Sequence, residues 1–154
     1  MALEIERKFL VDPEKWNPSD QGISIIQAYL GLNPYPTVRI RIAGEKAFLT
    51  IKGQSQTISR PEFEYQVPVE GAQEMLKLAI SNPVEKTRYH VMYEGFLWEV
   101  DVFSGKNTGL IVAEIELKSE DQSFPLPDWV VEEVSDDGRY YNSYLSTCPF
   151  TEWE

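Results

Sequence analysis

The chain has 154 residues, 42% hydrophobic and 12% aromatic, a globular composition with material for one core and little for a second. Acids outnumber Lys and Arg by 25 to 14, giving a formal net charge of −11, which argues against nucleic acid or an anionic membrane as partner. A lone cysteine, Cys148, offers no intrachain disulfide, Glu4, Glu6, Arg7 and Lys8 interrupt the start too early for a secretion signal, and no run reaches the roughly 18 apolar residues of a membrane span, so the expectation is one cytoplasmic domain over residues 1–154.

Period-two alternation dominates, beginning with residues 3–11, where Leu3, Ile5 and Phe9 oppose Glu4, Glu6 and Lys8 and predict a strand. Residues 12–22, with two prolines and a glycine, predict a loop. Strands follow at 23–31, 37–43 and 47–53, the last two joined by a hairpin turn at Ala43-Gly44-Glu45-Lys46. The next strand, 60–68, sets Phe63, Tyr65 and Val67 against Arg60, Glu62, Glu64 and Gln66, and Pro61 predicts that it begins there or runs beside an unpaired edge. Residues 69–81 shift to helical spacing through Met75, Leu76, Ala79 and Ile80, a stripe expected to pack on the sheet, and end at Asn82-Pro83. Three more strands are predicted at 84–93, 96–104 and 110–118, with a turn at Glu94-Gly95. A short helical segment near 128–133, a turn at Asp136-Asp137-Gly138 and a final helix at 141–147 complete the pattern. About eight strands with hairpin-length connections imply a mostly antiparallel sheet.

The polar strand faces carry two signs of charge. Glu4, Glu6, Glu62, Glu64, Glu99, Asp101, Glu114 and Glu116 supply acids, while Lys8, Arg39, Arg41, Lys52, Arg60, Lys86, Arg88 and Lys118 supply bases. Same-face neighbours stand about 7 Å apart along a strand, so Glu4/Glu6, Glu62/Glu64, Glu99/Asp101 and Glu114/Glu116 are like-charge doublets, as are Arg39/Arg41 and Lys86/Arg88. For any one pair, a solvated sheet face with cross-strand ion pairs worth about 0–1 kcal/mol accounts for the charge. Repeated doublets gain nothing from such a lattice unless something lies between them. In a sheet curved into a closed barrel, the charged parity can face a wet or ligand-filled lumen while the apolar parity packs outside. Guanidinium and ammonium groups clamp phosphate oxygens, and paired carboxylates hold hard divalent cations, so the pattern points to a metal–phosphate site.

The same residues carry a family resemblance. Glu4-Ile5-Glu6-Arg7-Lys8 resembles the ExExK motif of the CYTH superfamily, the triphosphate tunnel metalloenzymes, and is followed in order by RIR (39–41), TIK (50–52), RPEFE (60–64), EKTRY (85–89), EVDVF (99–103), EIEL (114–117) and RYYN (139–142). The likeness is to the short prokaryotic members that hydrolyse inorganic tripolyphosphate. It implies a mainly β fold, a closed eight-stranded antiparallel β-barrel forming a tunnel with helices packed outside. It also implies that Lys8, Arg39, Arg41, Lys52, Arg60, Lys86, Arg88 and Arg139 bind the triphosphate. Mg²⁺ or Mn²⁺ would be held by Glu4, Glu6, Glu62, Glu64, Asp101, Glu114 and Glu116, with Glu4, Glu6, Lys8, Tyr29, Glu62 and Glu64 in the catalytic set. The partner is then a small-molecule triphosphate, and the active unit a monomer or homodimer. A nucleoside triphosphatase or adenylyl cyclase, and a non-catalytic polyphosphate-binding module, are the alternatives. The His-Phe dipeptide that precedes ExExK in some adenylyl cyclases of the superfamily is missing.

His90 and Cys148 make no persuasive nucleophilic dyad from their spacing; the first reads as an exposed rim or capping residue and the second as packing. Trp16, Trp98, Trp129 and Trp153 read as packing or rim residues.

Overall fold

The computed structural model describes residues 3–54 and 57–153. Strands β1 (Leu3–Val11), β2 (Ile23–Gly31), β3 (Thr37–Ala43), β4 (Lys46–Lys52) and β5 (Ser59–Val67) lead to helix α1 (Val69–Leu76), then β6 (Val84–Tyr93), β7 (Phe96–Phe103), β8 (Ile111–Glu116), β9 (Val130–Glu133) and α2 (Asn142–Thr147). The tight hairpins obey turn chemistry: the two-residue β6–β7 loop has Glu94 and Gly95 both at positive φ, 46° and 83°, the twist that suits a right-handed strand pair.

All pairings are antiparallel, in the order β5-β4-β3-β2-β6-β7-β8-β1. The ring closes where Leu3 and Ile5 of β1 meet Pro61 and Ser59 of β5. Pro61 has no N–H to give, and its carbonyl accepts from Gly53 N at 2.9 Å. A ninth strand, β9, pairs with the other half of the same β1 edge, Phe9 with Glu133 and Val11 with Val130. Residues 128–133, expected to be helical, therefore form an edge strand at 130–133, because β-branched Val130 and Val131 meet an open β1 edge.

Apolar parity lies outside the ring. Around β1, β7 and β8, Trp98 is fully buried among Phe9, Phe124 and Trp129 at ring separations of 5.5–5.8 Å, beneath the loop carrying Trp16. On the other side α1 covers β2, β3 and β4 through Ala28, Ile40, Ala47 and Ala72. The helix stops at Leu76 and not at 81: Lys77, Leu78 and Ala79 N–H groups reach back only three residues, and Ile80 N bonds to Tyr29 O of β2 at 3.0 Å. Ile80 consequently projects outward, 59% exposed, while Met75, Leu76 and Ala79 pack as expected.

Helix α2 lies across one end of the ring, against β2 and β6, and is not an outer-face helix. Strand alternation turns Leu10, Val84, Phe103 and Val112 inward at that end, and Leu145 of α2 packs with them as an apolar seal. Among the described residues no helix is long and apolar enough to cross a membrane.

Candidate active site

The inward parity of the eight ring strands converges on one cavity of about 170 Å³. β1 contributes Glu4, Glu6 and Lys8; β2 Tyr29; β3 Arg39 and Arg41; β4 Lys52; β5 Arg60, Glu62 and Glu64; β6 Lys86 and Arg88; β7 Glu99; β8 Glu114 and Glu116. Charged residues at alternate positions reach the same space because the ring is closed and every strand turns its polar face inward. Pro61 leaves Arg60 directed to the lumen, with its Nε 3.3 Å from Glu4 Oε1.

Two residues of the expected set lie elsewhere. Arg139 is exposed, its guanidinium clasped by Asp137 and laid over Tyr140 and Trp153, so the C-terminal segment reaches the barrel end without presenting this side chain to the cavity. Asp101 is 1% exposed behind the lumen wall, with Arg88 Nε and Nη2 on its two oxygens at 2.8 and 2.9 Å and Lys86 Nζ at 2.8 Å. It serves as the counterion of both bases and does not line the cavity. Asp101→Ala is expected to lower stability by about 3–5 kcal/mol in denaturant unfolding, since it takes from buried Lys86 the one ion-pair partner it has among the described residues and from Arg88 its bidentate one; a change below about 1 kcal/mol would refute that role.

The ion pairs divide the lumen. On the acidic side Lys52 stands between Glu4 (3.1 Å) and Glu62 (3.3 Å). Burial pushes the Glu4 carboxyl up, and Lys52 with Arg60 more than reverses it, holding Glu4 below the ordinary carboxylate range. Glu6 is the opposite case: burial, Glu114 and Glu4 raise it well above that range. Glu114 is itself held well down, against burial, by Lys8, the Glu6 hydrogen bond and Arg88. Glu62 and Glu116 are raised by burial and by their acidic neighbours.

The basic wall is under-compensated. Among the described residues neither Arg39 nor Arg41 forms an ion pair. Arg39, 6% exposed, donates from Nη2 to Thr50 Oγ1 at 3.3 Å, and its Nε has no partner. Arg41 donates from Nε to Gln27 Oε1 at 2.7 Å, and burial with nearby Arg39 and Arg88 presses it down to about 9. Burial also takes Lys86 to about 7 despite Asp101, with Arg88 and Arg41 adding to the depression. An anion placed among these three groups relieves all of them at once.

Four contributors stand outside the expected site set, although Glu99 was among the strand-face acids of the pattern. Gln27 holds Arg41; Asn142 of α2 accepts from both Lys86 Nζ (3.0 Å) and Gln27 Nε2 (3.1 Å) at the sealed end; Tyr141 lies over the Lys8 and Arg60 cations at 5.3 and 5.8 Å; and Glu99 pairs with Arg88. Gln27 shares the parity of Tyr29, which was a signal available in the strand. Tyr141 and Asn142 fall in the RYYN segment (139–142) that carries the family resemblance, but nothing in a helix-end residue marks which side chains it caps. His90 sits at the rim, 42% exposed by side chain, with Nε2 3.3 Å from Glu99.

The carboxylates fit a hard divalent cation. They are oxygen donors from β1, β5 and β8 around one cavity, and burial among acids favours the protonated form of Glu6, whose proton a cation would compete with. Among the described residues no three Asp, Glu, His or Cys side chains form a ready cage, and Mg²⁺ usually takes only one or two carboxylates with phosphate completing its shell.

Residues 2–146 match the model of the CYTH domain. The chain is 44% identical over 151 residues to an inorganic triphosphatase of Acetivibrio thermocellus, covering 97% of each chain. It is 37% identical over 152 residues to an inorganic triphosphatase of Nitrosomonas europaea, covering 93% of this chain and 96% of that one. The crystal structure of the inorganic triphosphatase NE1496 superposes with a TM-score of 0.68 at 36% identity, covering 95% of each chain.

Proposed function

The chain belongs to the CYTH domain family, and from that premise we propose that it is a triphosphatase, hydrolysing inorganic tripolyphosphate to pyrophosphate and phosphate within the barrel lumen. The observation that carries this reading is the pair Arg39 and Arg41, two inward guanidinium groups without carboxylate partners among the described residues, facing a wall of paired carboxylates in the same cavity. A polyanion answers the first and a divalent cation bound to that polyanion answers the second.

In this reading Arg39, Arg41, Lys86 and Arg88 hold non-bridging oxygens from one side, with Lys8, Lys52 and Arg60 available from the other. Arg60 and Lys52 already pair with Glu4, so they exchange a carboxylate for phosphate when substrate arrives. Glu4, Glu6, Glu62, Glu64, Glu114 and Glu116 would hold Mg²⁺ or Mn²⁺ and orient the attacking water; CYTH triphosphatases in general depend on divalent metal. A bound divalent cation neutralises phosphate charge and makes phosphorus more open to attack. Tyr29, 5% exposed and opposite Arg39 in the β2–β3 register, stands where its hydroxyl can order the substrate or pass a proton. Preorganised charge lowers the barrier, with no covalent intermediate on the protein. The lumen forms within one chain, so a monomer or a homodimer serves equally, and the lone Cys148 is in keeping with a cytoplasmic location.

The test is phosphate release from tripolyphosphate, pyrophosphate, ATP and thiamine triphosphate, each with Mg²⁺, Mn²⁺ or chelator. Tripolyphosphate is expected to turn over fastest. No release above buffer from any of them would leave a binding module, and cyclic AMP formed from ATP would point to a cyclase.

A further inference from the structure

Resting on that triphosphatase reading, we propose that the water consumed in each turnover reaches the lumen through a side chamber between β5 and β9, and not through the mouth by which substrate enters. The chamber is a consequence of how β1 shares one edge. Its first residues pair with β5 and its last with β9, and between them the ladder is interrupted. There Lys8 N donates not to a strand carbonyl but to the Ser135 hydroxyl at 2.9 Å, and Glu6 N reaches Ile58 O at 3.3 Å. The gap holds a cavity of about 30 Å³ that runs from exposed Thr57, past Ile58 and Ser135, to Glu6 and Lys8 in the lumen wall. That volume is about one water's share of the liquid, too small for phosphate. Carboxylate, ammonium and hydroxyl groups around it give a water its two to four partners. Tyr141 closes the chamber on the side of the sealed end, its hydroxyl donating to Ser135 O at 3.1 Å.

In-line attack requires the water to stand on the far side of the phosphorus from the departing bridging oxygen. The water oxygen bonds to phosphorus, the bridging P–O bond breaks, pyrophosphate leaves with the electron pair, and the released proton passes to a lumen carboxylate and then to solvent. For a chain of phosphates entering at the end where Glu64 and Glu116 are exposed, that position lies beyond the leading phosphate, inside the barrel. The substrate blocks the mouth behind it, and Leu10, Val84, Phe103, Val112 and Leu145 seal the end ahead. The side chamber connects this position with solvent.

Methanol competes with water as a nucleophile but is larger than the one water for which the chamber's volume of about 30 Å³ has room. Wild-type enzyme with Mg²⁺ and tripolyphosphate in methanol–water mixtures is expected to yield inorganic phosphate and no methyl phosphate, while Ser135→Gly, which enlarges the chamber, yields methyl phosphate. Ser135→Val is expected to lower kcat by about tenfold with KM, and tripolyphosphate binding by calorimetry, changed by less than about twofold. Methyl phosphate from the wild type in proportion to the methanol present would overturn the chamber and leave the triphosphatase reading standing. Ser135→Val turning over at the wild-type rate would do the same. Absence of phosphate release in plain buffer would defeat both readings. Should Ser135→Val fail to fold, the wild-type partition decides alone.

Discussion

Arg41→Ala is expected to reduce kcat/KM for tripolyphosphate by about a thousandfold while leaving the melting temperature unchanged or higher. Loss of one preorganised charge in a site shielded from water typically removes about 10²–10³ in rate, and Arg41 is placed to be such a charge. In the free protein it holds no carboxylate; Gln27 is its neutral partner, and burial with the neighbouring Arg39 and Arg88 disfavours its charge. Deleting it relieves that repulsion, so the fold loses little and the anion loses a ligand. Asp101→Ala is the informative contrast, lowering stability because it removes the counterion of Lys86 and the bidentate partner of Arg88. Phosphate-release kinetics and thermal melts on the two variants separate the roles. Wild-type turnover in Arg41→Ala would remove that residue from the mechanism.

Removing divalent metal with chelator is expected to abolish hydrolysis, and adding Mg²⁺ or Mn²⁺ to restore it. The pH dependence follows from Glu6. Its proton is held well above the ordinary value of 4.5, by burial first and then by Glu114 and Glu4. A cation entering beside it must displace that proton, so metal affinity rises as pH increases from about 4.5 toward the raised value. In metal-free protein the sign is reversed for stability. The folded chain binds this proton more tightly than the unfolded chain, so Glu6's contribution is complete below about pH 4.5 and fades as pH rises through its raised value. Calorimetric titration of Mg²⁺ in buffers of different ionisation heat should record proton release at mildly acid pH. Hydrolysis that survives chelation, or metal binding that weakens as pH rises, would contradict the carboxylate assignment.

Much of the lumen was legible because strand alternation is local. Glu4, Glu6 and Lys8 share a face whatever β1 pairs with, and the same holds for Arg39 with Arg41 and for Lys86 with Arg88. The helical expectation at 128–133 failed because a four-residue segment takes its form from its neighbour, here the free edge of β1. Ile80 failed for a related reason: a bond to Tyr29 O draws the chain off the helix before the stripe is complete. Asp101 shares the inward parity of Glu99, yet parity gives no depth, and depth made it a counterion where Glu99 lines the cavity.

The amino-acid order alone determined which side chains travel together and the charge types available to a ligand; that the apolar parity lies outside followed only from closure of the ring. Tertiary structure decided which charges neutralise one another. Lys52 meets Glu4 across 48 residues of chain and Arg60 meets it across 56, encounters set by the closure of β1 on β5. It likewise decided that α2 would seal one end and that Ser135 would bridge the break in the β1 ladder. Alternation is fixed by backbone geometry within a few residues, whereas register, closure and the seam between β5 and β9 arise only when distant segments compete for the same edge.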